Sequence, residues 1–89
     1  MKLKDGVIIS EINGEFVAVP SGAASTRFNG MIRMNRTAAT IAKALQQGKT
    51  EDEVVAALCE EYEVSETIAR EDFAAVTKEL DRLGLLDHA

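Results

Sequence analysis

The chain has 89 residues, 46% of them apolar and 28% charged, which fits one domain with a modest core and leaves no room for a second. No stretch approaches the roughly 18 consecutive apolar residues of a membrane span, the start Met1 to Gly6 lacks the apolar run of a signal peptide, and a lone Cys59 cannot form an internal disulfide, so the expectation is a soluble cytoplasmic domain. The net charge of -5 divides into +2 through Arg36 and -7 from Thr37 onward, and an acidic second half argues against a phosphate-binding surface.

The first element is a hairpin. Val7 to Ile12 is short and β-branched, Asn13-Gly14 supplies the two left-handed positions of a type I′ turn, and Glu15 to Val19 returns. The two-residue turn sets Ile12 opposite Glu15, Ser10 opposite Val17 and Ile8 opposite Val19, with Val7, Ile9, Glu11, Phe16 and Ala18 on the other face. Both faces are partly apolar, so alternation does not identify the core side, and the second face is expected to be covered as well. Residues 20–27, with Pro20 and Gly22, read as a loop. A third strand is predicted over residues 28–35, with Phe28, Ile32 and Met34 on one face and Met31 and Arg33 on the other. It is the natural edge of the sheet.

From Thr37 to Gln47 the apolar spacing becomes helical, through Ala38, Ile41, Ala42 and Leu45, and Gly48 is placed to close the helix. Thr50 with Glu53 forms a capping box for a second helix, whose buried stripe is Val54, Val55, Leu58 and Tyr62. Ser65 caps a third helix carrying Ala69, Phe73, Val76, Leu80 and Leu83 at intervals of three and four, ended by Gly84, after which Leu85 and Leu86 fold back.

No constellation for catalysis emerges, and the chain is read as a non-enzyme without cofactor or metal. Gly48-Lys49-Thr50 resembles the tail of a phosphate loop, but Lys43 stands where that motif needs its first glycine. His88 lies beside the terminus, with no fixed partner nearby. Cys59 has no histidine close in sequence and reads as a small apolar residue. The acidic clusters lack the alternating ligands and glycine of a calcium loop. What remains is the third strand, whose edge offers unpaired N–H and C=O groups that suit capture of an extended polypeptide.

The order of strand, Asn-Gly turn, strand, loop, a strand ending in Met34-Asn35, a short amphipathic helix, Gly48-Lys49-Thr50-Glu51-Asp52-Glu53-Val54, and a tail with Asp72-Phe73, Val76, Leu80 and Gly84-Leu85-Leu86 resembles the PqqD-like family of peptide-recognition domains. The resemblance implies an α+β fold, a three-stranded antiparallel sheet (about residues 6–35) followed by a three-helix winged helix-turn-helix-like unit (about residues 36–86), in one domain over 1–89. It implies a peptide chaperone that binds the leader segment of a ribosomally made precursor by β-strand addition and presents the core segment to a modifying enzyme. Carried onto this sequence, the strand contacts would come from Gly30, Met31, Ile32, Arg33, Met34 and Asn35, and the helix contacts from Ile68, Ala69, Asp72, Phe73 and Val76. Proline at Met31 or Ile32 would then be expected to abolish leader binding by removing a ladder donor. The expected partners are the leader peptide and a maturation enzyme, foremost a radical S-adenosylmethionine enzyme, with lasso-peptide proteases as another user of the same module. Neither nucleic acid nor membrane is expected, and the chain would be a monomer or weak homodimer. One departure is Asn35-Arg36-Thr37, which lacks the glycine many relatives carry before the first helix.

The rival reading is a helix-turn-helix DNA-binding regulator. Its recognition helix would be the last, where Arg70, Lys78 and Arg82 are outnumbered by Glu66, Glu71, Asp72, Glu79 and Asp81, which disfavours approach to phosphate. An acidic last helix instead suits a leader with basic or apolar residues.

Overall fold

The computed structural model describes residues 1–20 and 32–87, without the side chain of Pro20. In chain order the elements are β1 (Lys2–Leu3), β2 (Val7–Ile12), β3 (Glu15–Pro20), β4 (Ile32–Met34), α1 (Arg36–Gln46), α2 (Glu51–Tyr62), α3 (Glu66–Arg82) and β5 (Leu86–Asp87). Strands β2, β3 and β4 form one antiparallel sheet in that order, and β1 pairs with β5. The α+β architecture of a three-stranded sheet followed by three helices is therefore the one the sequence implied. The β1–β5 pair is an addition, because two-residue strands are too short to show alternation.

The hairpin follows from its turn. Asn13 (φ 52) and Gly14 (φ 82) are both left-handed, and the register sets Ile12 opposite Glu15, Ser10 opposite Val17 and Ile8 opposite Val19. The helices cover the face of Val7, Ile9 and Ala18, joined from β4 by Ile32 and Met34. That settles which face carries the core. On the opposite face Ile8 and Ile12 remain 51% and 49% exposed, and Val17 is buried outside the core cluster.

Each helix is bounded by its own chemistry. The Asn35 side chain accepts from the Ala38 N–H at 2.8 Å and starts α1, one residue earlier than the spacing predicted. At its other end the Gly48 N–H bonds the Leu45 carbonyl and the Lys49 N–H that of Ala44, both at 3.1 Å, a Schellman cap that requires the left-handed Gly48 (φ 75). The Gly-Lys-Thr sequence is thus a helix-to-helix turn. Ser65 accepts from the Ile68 N–H at 3.2 Å to start α3.

The capping box of α2 is complete. Thr50 Oγ1 accepts from the Glu53 N–H at 3.2 Å, and Glu53 Oε1 from the Thr50 N–H at 2.9 Å. The Thr50 backbone N–H foremost, and the Thr50 hydroxyl after it, hold the Glu53 carboxyl below the ordinary glutamate value. Its contribution to stability is accordingly complete above that ordinary value and is lost as pH falls through the lower folded one. Thr50→Ala is expected to cost about 1 kcal/mol in urea denaturation at neutral pH, and Glu53→Ala to flatten the acid limb of the stability profile.

Helix α1 sits at the centre, touching β1, the hairpin, α2 and α3. Its Ile41 and Leu45 are fully buried with Leu3, Val54, Leu58 and Leu85, each worth about 1.5–3 kcal/mol in transfer free energy. Ala39, Ala42 and Ala44 on the same helix are buried too, and their small side chains let the neighbouring elements approach. Thr40 and Tyr62 share a hydroxyl hydrogen bond of 2.7 Å between α1 and α2, and Gln46 donates to the Val7 carbonyl, tying α1 to the hairpin. Cys59 is half-buried against the core.

Arg70 of α3 clamps the starts of two helices. Its guanidinium donates to Glu51 at 2.8 Å, Asp52 at 3.0 Å and Glu66 at 3.1 Å, and these bonds, that to Asp52 foremost, push its pKa further up. Acidic residues from the first turns of α2 and α3 are thereby joined to one cation.

Candidate peptide-binding groove

Strand β4 is the outer strand of its sheet, and among the described residues it pairs only with β3. Which of its backbone groups point outward follows from the hairpin. The turn joins the Ile12 carbonyl to the Glu15 N–H, so Glu15, Val17 and Val19 direct their ladder groups toward β2, and the alternate residues Phe16 and Ala18 direct theirs toward β4. The partners of Phe16 and Ala18 are Met34 and Ile32. Ile32 and Met34 therefore bond inward to β3, while the N–H and C=O of Arg33 face the open edge.

Alongside this edge runs a groove of about 300 Å³ between β4 and the second half of α3. Its walls include Ile32 and Met34 on the strand side, Ala38 from α1, and Ala75, Val76, Glu79 and Leu83 on the α3 side. Alanine at 38 and 75 leaves room where larger side chains would close the gap. Val76 on α3 and Leu83 at its C-cap, seven residues on, are each half-buried against the core edge and give the groove its apolar character.

Of the residues expected from sequence, Ile32, Arg33, Met34, Asn35 and Val76 come together around this groove. Gly30 and Met31 lie outside the described residues, as does His88. Ala69 and Phe73 are 0% and 4% exposed and belong to the core. Ile68 is exposed and Asp72 half-buried, and neither lines the groove. The helix wall is thus set about a turn nearer the C-terminus, at Ala75, Glu79 and Leu83, none of which was expected as a contact from the sequence. The periodicity held a signal for Leu83, seven residues beyond Val76, and put Ala38 on the apolar side of the first helix without marking it as a groove residue, but nothing marked Ala75.

The charge of α3 bears on the nucleic-acid alternative. Arg70 is held by three carboxylates and Arg82 by Glu79, and that ion pair lowers the Glu79 pKa while raising that of Arg82. Two of the helix's three cations are thereby occupied. Among the described residues no group of three or more His, Cys, Asp or Glu side chains could hold a metal ion, and no helix is long and apolar enough to cross a membrane.

An open strand beside an apolar helix groove defines a module suited to an extended polypeptide. The family model described as coenzyme PQQ synthesis protein D (PqqD) matches residues 15–86, and the chain belongs to the PqqD family. Two solved structures are similar over nearly their whole length. One, TbiB1 in complex with the TbiA(beta) leader peptide, has a TM-score of 0.77 at 25% identity, covering 100% of this chain and 98% of that one. The other, lasso peptide synthetase B1 complexed with the leader peptide, has a TM-score of 0.72 at 26% identity, covering 94% and 93%. No curated protein matches the chain.

Proposed function

We propose that this domain binds the leader segment of a ribosomally made precursor peptide as a further strand on β4 and presents the core segment to a separate maturation enzyme in the cytoplasm. The observation that carries this reading is the one-sided β4, with Arg33's backbone turned outward, directly beside the groove of Ile32, Met34, Ala75, Val76 and Leu83. Backbone pairing supplies affinity that tolerates sequence, and the groove selects apolar side chains on alternate leader residues. Tethering raises the effective concentration of the core segment at the enzyme. The domain itself makes and breaks no bond.

Both solved relatives are complexes with leader peptides, and the family is described by its part in coenzyme PQQ synthesis. The enzyme served is a radical S-adenosylmethionine enzyme or a lasso-type maturase. The test is an NMR titration of labelled protein with synthetic leaders taken from short precursor-type open reading frames sought next to this gene. Shifts are expected at residues 32–38 and 75–83. Shifts confined elsewhere would move the site, and tight duplex binding at low salt with no leader binding would restore the regulator reading.

A further inference from the structure

A second hollow, of about 450 Å³, opens at the end of the sheet where β4 runs into α1, lined by Gly14, Glu15, Phe16, Arg33, Met34, Asn35 and Arg36. It shares Arg33, Met34 and Asn35 with the groove, so both hollows adjoin the end of β4. Its charge is opposite to that of the molecule. The Arg36 guanidinium and the Lys43 ammonium, two helical turns apart on α1, each lie 5.6 Å from the centroid of the Phe16 ring. Arg33 stands at the rim with a loose, exposed pair to Glu15 at 3.9 Å.

Two cations around one ring repel each other, and the ring's quadrupole attracts each only weakly at an exposed site. Among the described residues neither Arg36 nor Lys43 meets a carboxylate at ion-pair distance. The first turn of α1 contains no acidic residue, whereas α2 has Glu51, Asp52 and Glu53 there. On a chain of net charge -5 this is a local positive field beside the end of β4, and the one carboxylate among the residues lining the hollow, Glu15, is loosely paired with Arg33 rather than with Arg36 or Lys43.

We propose that this patch is the docking point for an Asp or Glu side chain of the leader, on the stretch that runs past Met34 off the end of β4. The inference rests on the leader-binding reading and adds a direction to it: the leader is apolar where it lies in the groove and acidic where it leaves over Arg36 and Lys43. A carboxylate there gains from both cations at once and relieves their mutual repulsion. Because the site is at the rim, it acts more on association rate and register than on residence time.

The test uses fluorescein-labelled synthetic leaders from the same search, in their natural form and with their Asp and Glu changed to Asn and Gln. The doubly substituted Arg36→Gln, Lys43→Gln protein is expected to bind the natural leader about three- to tenfold more weakly at low salt, with the difference shrinking to less than about twofold in 0.5 M salt. It should bind the neutralised leader as well as the unaltered protein does, and Arg36→Lys with Lys43→Arg should restore the natural affinity. Both positions are solvent-exposed, and an unchanged thermal melt verifies the fold. Equal affinity of the two proteins for the natural leader would overturn the docking point and leave strand addition standing. A loss that persists with the neutralised leader would show that the patch acts on something other than a carboxylate, and would overturn it too. Absence of any leader binding by the unaltered chain would remove the function and the inference together.

Discussion

Arg33→Pro is expected to weaken leader binding about 30-fold or more, roughly 2 kcal/mol, in a protein whose thermal melt is nearly unchanged. Proline on an edge strand is tolerated when the lost N–H points to solvent, and the alternation set by the hairpin turns the Arg33 N–H outward. An incoming strand then loses a donor and meets the pyrrolidine ring where it would pair. Ile32→Pro is expected to behave differently, because the N–H of Ile32 belongs to the bond with Ala18 across β3–β4. It should loosen the sheet edge itself, visible as a lower melting temperature and lost amide protection at Ile32 and Ala18. The sequence alone pointed to proline at Met31 or Ile32. The register shows that on the described part of the strand the position that separates binding from folding is Arg33. Arg33→Ala, which keeps the N–H, should lose no more than about threefold, the scale of an exposed charge. Fluorescence anisotropy with the synthetic leader distinguishes the three, and full affinity in a folded Arg33→Pro protein would rule out strand addition.

The elements with local causes were legible in the sequence. Asn13-Gly14 fixed the hairpin and its register, Thr50 and Glu53 the start of α2, Ser65 the start of α3, and Gly48 and Gly84 two helix ends, because each acts through bonds between near neighbours in the chain. What depends on distant partners was not. Lys2–Leu3 becomes a strand only because Leu86–Asp87 returns beside it, with the Lys4 N–H bonded to the Leu85 carbonyl at 2.8 Å. The core face of the hairpin, undecided by alternation, is chosen by where α1 lands. The same cause shifts the groove along α3. Helical spacing put Ala69, Phe73, Val76 and Leu80 on one stripe, but it could not say which turns face β4 and which face α1 and α2. The nearest part of α3 to β4 proved to be its second half, so Val76 lines the groove while Ala69 and Phe73 are buried.

That division of α3 yields opposite outcomes for substitutions at two positions less than a turn apart. Phe73 is 4% exposed within the core cluster, and Phe73→Ala is expected to cost about 3–5 kcal/mol, lowering the melting temperature by more than about 10 °C in a domain of this size. Against a total stability of about 5–15 kcal/mol, that can leave too little folded protein for a clean affinity, so the binding arm uses Phe73→Leu. This swap preserves most of the volume and costs less than about 2 kcal/mol. Its leader affinity should equal that of the unaltered chain, since the ring does not reach the groove. Ala75→Trp should do the reverse. Ala75 is exposed and lines the groove, so a tryptophan there fills the space a leader side chain needs without touching the core, and binding should fall at least about tenfold while the melt moves by only a few degrees. A Phe73→Leu protein that folds well but binds poorly would place the contact surface back on the first half of α3. An Ala75→Trp protein that binds as before would mean that the leader, if it pairs with β4 at all, does so without entering the groove.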